Sequence, residues 1–320
     1  MEYVLGVDAG GTKYLIRACD LQGNLISEYK GPTNDHHRVS IPEATAGIRA
    51  AFDALFRQMG ERPENCRFLV VGSSGIDSPK DQETVDSMYE ALHLPCPFIT
   101  VNDVEIALYA ATGGTGALVI GGTGSIAAGV NSRGETTRSG GWGLNCHSDQ
   151  GSGYDISMRA LHYVTLYYDK IIPISPLIRM MIDEYSLDLS KLASSIRQFR
   201  TDRMTLPGIP ALVDRAFDAG DPYAEIIIDH AASELAWLGE TIVEKLRLDE
   251  EPSFKMAVWG GVALKSPHIY PRIKQRWEEK YPNVCVVYPE LDAAAGAIQM
   301  ALEMANKTHD HTSRRYHVEE

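Results

Sequence analysis

Two short stretches of the sequence, DAGGTK at residues 8–13 and VIGGTGS at residues 119–125, bring a Gly-Gly-Thr turn to the end of an apolar run. Such a turn has no Cβ to hold an anion away, so its backbone N–H groups approach oxygen closely, and the Thr hydroxyl adds a donor. The chemistry on offer is the grip of a phosphate. A single turn of this kind is ordinarily just a hairpin connection. Here there are two, Gly10-Gly11-Thr12 and Gly121-Gly122-Thr123, and in each a turn glycine (Gly23, Gly134) follows 13 residues after the first glycine. Duplication at matched spacing favours two phosphate turns that grip a polyphosphate. The first stretch also carries a lone carboxylate, Asp8, in its buried strand. An unpaired buried acid is costly, so a working role is its natural explanation.

The positioning elements follow from periodicity. Residues 3–8, 14–20 and 25–29 read as an antiparallel meander with turns at Gly10-Gly11 and Gly23-Asn24. Residues 41–59 put Ile48, Ala51, Phe52, Leu55 and Met59 on one helical face. FLVVGSSG is a buried strand ending in a Gly-bounded loop, residues 82–92 suggest a helix, and PFITVND is a strand running into the helix VEIALYAA. Asp103 stands at that junction, where an Asp is ordinarily an N-cap. At residue 117 the pattern restarts, offset by 111 residues, as a duplicated domain would, with the join near Thr112-Gly113-Gly114.

Residues 150–248 read as mostly helical, with one clear helix opened by Asp221-Pro222 and striped by Ile228, Ala231, Leu235, Leu238 and Ile242. Then come the strand FKMAVW, the loop GGVALKS, a helix through Trp277, the strand VCVVY, the small-residue helix AAAGAIQMALEMA and a polar tail from Asn306. The fold class is α/β with a partly parallel sheet. Two domains are expected, 1–112 and 113–320, the second carrying a helical insertion at about 150–248 and lending its last helix to the first.

A formal charge of −13 from 30 basic and 43 acidic residues argues against nucleic acid or an anionic membrane as partner. A nucleotide would have to be held locally, by backbone N–H groups, a Lys and a metal. No apolar run approaches the ~20 residues of a membrane span, and MEYVLGVDAGG lacks the pattern of a signal peptide. Five scattered cysteines (Cys19, Cys66, Cys96, Cys146, Cys285) suit a reducing cytoplasm. Metal ligation by His36-His37 or His309-Asp310-His311 finds little support, since both lack a plausible second pair and such short tracts are ordinarily exposed loop or tail.

With these motifs in order, the sequence resembles the sugar kinase, actin and Hsp70 ATPase superfamily, and within it the N-acetylglucosamine kinase-like branch of the BadF/BadG-type ATPases. DAGGTK looks like the first phosphate motif, VIGGTGSIA the second, AVWGGVALKS the adenosine motif, and SGGWG with DQGSGY the sugar-site loop. The resemblance implies two duplicated actin-like (ribonuclease H-like) domains that close over a cleft, hinged near residues 112–115. It implies ATP bound by Gly10, Gly11, Thr12, Lys13, Gly122, Thr123, Gly124, Ser125, Gly260, Gly261 and Val262, and Mg²⁺ organised by Asp8 through water. Lys13 would lie near the transferred phosphate, and Asp103, with an ordinary pKa near ~4, would be the catalytic base. The acceptor, an amino sugar phosphorylated on its 6-hydroxyl, would meet Asn34, Ser74, Gly75, Asp103, Thr123, Trp142, Gly143 and Asp149. A homodimer in the cytoplasm is implied as well.

The chain departs from the branch in the spacing of GWGLNCHSDQGS, in Gln150 where Glu is usual, in Ile126 where Asn is frequent, and in His147, a loop histidine without an assigned role. These changes bear on the sugar rather than the reaction. Two other readings compete. An activator ATPase of a 2-hydroxyacyl-CoA dehydratase would need cluster-ligating cysteines near a Cys-Ala-Ala-Gly-Thr-Gly stretch, which is absent. A silent sugar sensor would ordinarily carry an N-terminal DNA-binding segment, whereas the first strand here starts at residue 3.

Overall fold

The computed structural model describes residues 1–11, 13–143, 149–197 and 208–307, and the backbone of 198–201. Thr12, the loop holding Cys146 and His147, and the tail with His309-Asp310-His311 lie outside the described residues. The chain divides into two compact units, Met1–Thr115 together with the segment from Pro289 onward, and Gly116–Tyr288.

The first unit opens with β1 (Tyr3–Ala9), β2 (Lys13–Asp20) and β3 (Leu25–Pro32), then α1 (Ile41–Met59), β4 (Cys66–Ser73), α2 (Pro79–Glu90), β5 (Phe98–Asn102) and α3 (Asp103–Thr112). The second runs β6 (Gly116–Gly121), β7 (Ser125–Val130), β8 (Thr136–Gly140), α4 (Gly153–Tyr168), α5 (Pro176–Glu184), α6 (Leu192–Thr201), α7 (Ile209–Asp218), α8 (Pro222–Leu246), β9 (Phe254–Trp259), α9 (Gly261–Lys265), α10 (Ile269–Lys280) and β10 (Val284–Val287). The last helix, α11 (Ala293–Lys307), belongs to the first unit.

The duplication read from the Gly-Gly-Thr spacing is present in the topology. One sheet runs β3-β2-β1-β4-β5 and the other β8-β7-β6-β9-β10. In both, three antiparallel strands are followed by two parallel ones. At the offset of 111, Asp8 of β1 corresponds to Val119 of β6, which is fully buried. The same place in a sheet is therefore satisfied by an apolar side chain, and the acid in the first copy is an exception to the packing rule.

Sandwiching of the first sheet explains its burial pattern. Leu5, Val7, Ile16, Leu69 and Val71 face Ile48, Phe52 and Leu55 of α1, while Val4 and Val70 face Ile106 of α3 and Ala297, Ile298 and Ala301 of α11. Full burial of each such large apolar side chain contributes about 1.5–3 kcal/mol. The small residues of α11 permit close approach: a Cβ on Gly296 would collide with the backbone of Ile106 and Ala110. In the second unit the Asp221 cap accepts hydrogen bonds from the N–H groups of Tyr223 and Ala224, and Ile228, Ala231, Leu235 and Ile242 are buried, with Leu238 half-buried at the stripe's edge. No helix among the described residues is long and apolar enough to cross a membrane.

Candidate active site

Four strands of the first sheet, β1, β3, β4 and β5, point the same way, because β3 is antiparallel to an antiparallel neighbour of β1. Their carboxyl ends carry Asp8 to Gly11, Asn34, Ser74-Gly75 and Asp103 respectively, and ligands of open α/β sheets bind at such ends. Side chains stitch the exits together. Thr33 Oγ1 donates to the Gly10 carbonyl at 2.9 Å, the Ser74 N–H donates to the Ala9 carbonyl at 3.0 Å, and Asn102 Nδ2 donates to the Ile76 carbonyl at 2.6 Å. The Asn34 amide packs on Gly47 of α1. Asp8, Gly10, Gly11, Lys13, Asn34, Ser74, Gly75 and Asp103, all singled out in the sequence, thus lie at one end of this unit's sheet.

Asp8 is buried, and its Oδ2 lies 3.2 Å from Nζ of Lys13 across the turn. The lysine side chain is 64% exposed. A pair with so wet a partner is worth about 0–1 kcal/mol, so the ammonium is cheaply drawn to another anion.

Asp103 is the first residue of α3, and it is not the cap. Asn102 takes that role: its Oδ1 accepts the Val104 N–H at 3.0 Å, while Glu105 Oε1 accepts the Asn102 N–H at 3.1 Å. The expected ordinary acidity of Asp103 is also corrected. Burial, first, and then the negative charge of Asp8, with Asp77 and Asp35 adding, push its pKa up to about 6 against the opposing Val104 N–H. A base with that pKa holds a proton better than an ordinary Asp yet is ionised at neutral pH.

One residue went unnoticed in the sequence. Arg38 lays its guanidinium over the first glycine turn, with Nη2 3.1 Å from where a Cβ on Gly11 would sit, and Asp35 Oδ2 stands 3.6 Å from Nε. Its side chain is half exposed. No sequence signal links positions 11 and 38.

In the second unit, the turn between β6 and β7 is braced from below. The Gly153 and Tyr154 N–H groups at the start of α4 donate to the Gly122 and Thr123 carbonyls at 2.8 and 3.2 Å. The Ser125 N–H goes to Asp149 Oδ1 at 3.1 Å and its hydroxyl to the Gln150 carbonyl at 2.8 Å, so buried Ser125 holds the turn from behind. Thr123 is exposed at the tip, and among the described residues no backbone hydrogen bond takes the N–H of Thr123 or Gly124. Gly260 adopts φ +98°, and a Cβ there would lie 2.5 Å from the Gly121 carbonyl oxygen, so the GGV stretch of Gly260, Gly261 and Val262 abuts the β6–β7 turn. Val262 Cγ2 reaches Gly153.

Asp149 is buried against the same turn, and burial raises its pKa against the Ser125 N–H. Gln150 joins a network in which Arg159 Nη2 donates to its Oε1 at 3.0 Å, His230 Nε2 lies 3.3 Å from that oxygen, and Asp155 binds Arg159. A neutral amide in that place gives Arg159 and His230 an acceptor without adding a second negative charge beside Asp155. Trp142 is 66% exposed with the Arg138 guanidinium 5.4 Å from its ring centroid, and Gly143 beside it takes φ +91°. An exposed ring is not a core anchor.

The model of the BadF/BadG/BcrA/BcrD ATPase family matches residues 5–301. The chain belongs to this family. A relative from Dictyostelium discoideum named N-acetyl-D-glucosamine kinase is 30% identical over 315 residues, covering 94% of this chain and 98% of its own. The N-acetylmuramic acid/N-acetylglucosamine kinase of Clostridium acetobutylicum is 29% identical over 312 residues, covering 94% and 98%. Among solved structures, a protein of Chromobacterium violaceum named for N-acetylglucosamine kinase superposes with TM-score 0.72 at 22% identity over 94% of this chain and 99% of that one. A ROK hexokinase from Thermus thermophilus gives 0.59 at 18%, over 97% and 100%. This BadF/BadG-type ATPase therefore shares the two-sheet fold of those kinases across nearly its whole length.

Proposed function

We propose that this BadF/BadG-type ATPase transfers the γ-phosphoryl group of ATP to the 6-hydroxyl of an amino sugar, N-acetylglucosamine first among candidates, with N-acetylmuramic acid and glucosamine beside it. Curated relatives that match 94% of the chain bear names for these acceptors. The observation that carries the reading is the acid pair of the first unit: Asp8 in a buried strand whose copy has Val119, and Asp103 with its pKa raised by burial and then by that neighbour.

Asp103 takes the proton of the sugar hydroxyl as its oxygen bonds to the γ-phosphorus and the bridging oxygen leaves with ADP. Lys13 offers an exposed ammonium to the phosphate that moves, and Arg38 a second cation at the Gly10-Gly11 turn. The Thr123 and Gly124 N–H groups supply the second grip, and Gly260 to Val262 the surface for the nucleoside. Asn34, Ser74, Gly75, Trp142, Gly143 and Asp149 are assigned to the sugar.

Mg²⁺ belongs to the proposal. The carboxylates of Asp8, Asp35 and Asp77 all act electrostatically on Asp103, an oxygen-rich and negatively charged setting that suits a hard dication, with Asp8 as its holder through water. Bound with ATP, Mg²⁺ would neutralise charge on the β- and γ-phosphates. A homodimer working in the cytoplasm completes the reading.

ADP release from Mg·ATP, measured across N-acetylglucosamine, glucosamine, N-acetylmuramic acid and glucose, tests it. Stimulation by one sugar names the acceptor; no stimulation by any of the four, with ATP still bound, removes the kinase reading for this panel.

A further inference from the structure

The loop after β3 contains a histidine that the phosphotransfer reading does not use. The His36 side chain is 8% exposed, and its Nε2 is buried without a hydrogen-bond partner. Leaving a ring nitrogen so is costly unless something other than a hydrogen bond fills it.

Its surroundings are ligands of one kind. Asp81 Oδ1, from the first turn of α2, stands 3.6 Å from His36 Nε2 and 3.7 Å from His37 Nε2. Both separations are too long for hydrogen bonds. They are close to the spacing of two donors on a shared tetrahedral cation, about 3.3–3.5 Å when metal–nitrogen and metal–oxygen bonds are about 2.0–2.1 Å. Asp81 is held in place for this: its Oδ2 accepts the Ser78 hydroxyl at 2.7 Å and faces the Asp77 N–H at 3.3 Å, which turns Oδ1 to the histidines. The two rings lie 4.1 Å apart, tilted by 37°. Asp35 adds a carboxylate oxygen, so that Asp35, His36 and His37 each bring one ligand atom within 4.8 Å of the others.

We propose that His36, His37 and Asp81, with Asp35 beside them, form a binding site for a borderline divalent transition metal such as Zn²⁺. Two imidazoles and a carboxylate suit Zn²⁺ or Co²⁺ and are poor ligands for Mg²⁺, which prefers oxygen alone. His37 Nε2 lies 3.2 Å from the Gly75 carbonyl, and His36 packs its Cε1 and Nδ1 against Gly75 at 2.8 and 2.9 Å from a Cβ placed there. Metal binding exchanges the His37 contact for a bond that fastens the 34–38 loop to α2, beside the Gly75 backbone. Metal binding here does not depend on the kinase reading.

The full chain, stripped with chelator and kept in excess Mg²⁺, is titrated with Co²⁺ and followed by its visible d–d absorption, then competed with Zn²⁺. The expected result is one equivalent bound, with affinity reduced at least ~10-fold in His36→Ala and in Asp81→Asn. The double variant His309→Ala/His311→Ala, which removes the other histidine tract, is expected to bind as wild type does. Melting curves without metal check that each variant folds, and His37→Ala replaces any that does not. Absence of binding in the wild type, unchanged binding in the folded loop variants, or loss confined to the tail variant each overturns the proposal.

Discussion

Nζ of Lys13 and Oδ2 of Asp8 are 3.2 Å apart across the first glycine turn, one exposed and the other buried. The pairing gives the buried acid a cationic partner while leaving the exposed lysine able to exchange partners. Asp8→Asn is expected to lower kcat by about 10²-fold or more and to raise the Mg²⁺ concentration needed for half-maximal rate, because a neutral amide holds a hydrated dication poorly. Lys13→Ala is expected to act chiefly on kcat/KM for ATP. Steady-state kinetics at varied Mg²⁺ checks both, and an Asp8→Asn enzyme with wild-type Mg²⁺ dependence would remove Asp8 from metal binding.

Asp103→Asn is expected to reduce turnover about 10²–10⁴-fold with ATP binding retained, the usual worth of a general base. The same change is expected to stabilise the fold. The carboxyl goes from the ordinary 3.8 to about 6 on folding, so its ionised form costs stability, on the order of 1–3 kcal/mol, fully present above about pH 6 and absent below about pH 4. The gain in Tm of the Asn variant should therefore be clear at pH 7.5 and vanish near pH 4. A variant that loses activity and stability together would mean that Asp103 is structural.

With that pKa, the acid limb of log kcat/KM is expected to fall with unit slope below about pH 6, since the free enzyme must have Asp103 ionised to act as base. An ordinary Asp would put the break about two units lower. In Asp103→Asn the break should be absent from the residual rate, as a pH profile on both enzymes will tell.

Arg38 rests its guanidinium on Gly11 and is half exposed. Arg38→Ala is expected to raise KM for ATP about 10-fold, the worth of one charge-assisted contact, with Arg38→Lys recovering part of it. Equal nucleotide affinity in all three proteins, by calorimetry, would limit Arg38 to partnering Asp35.

Gly260→Ala is expected to cost about 1–3 kcal/mol, from the positive φ and from the Cβ pressed on the Gly121 carbonyl. The melting temperature measures it. Gly122→Ala, with open space around the new Cβ, is the control expected to melt as wild type does.

Much of this was legible in local pattern. Strand alternation, the Asp221-Pro222 start of α8 and the repeated glycine turn are short-range signals, and each stands in the structure where its residues put it. Adjacent Asn102 and Asp103 were not separable, because both side chains cap helices well and only the fold decides which one turns back to Val104. Likewise, Arg38 over Gly11 and Asp81 between two histidines join residues 27 and 45 or 44 positions apart, through a sheet exit and a helix start that no periodicity connects. The raised pKa of Asp103 comes from burial and from three distant acids, so it too waited for coordinates.

The return of the chain has a consequence for biosynthesis. α11 supplies one side of the β1–β4 core, and Arg17 of β2 grips Asp292 just before it at 2.6 and 2.8 Å. A ribosome therefore releases every strand of the leading unit, then the whole of the trailing one, before the helix that seals the former emerges. The part translated first is completed only after the trailing unit has been made, and the nascent protein exposes Val4, Val70 and Ile106 until α11 has emerged.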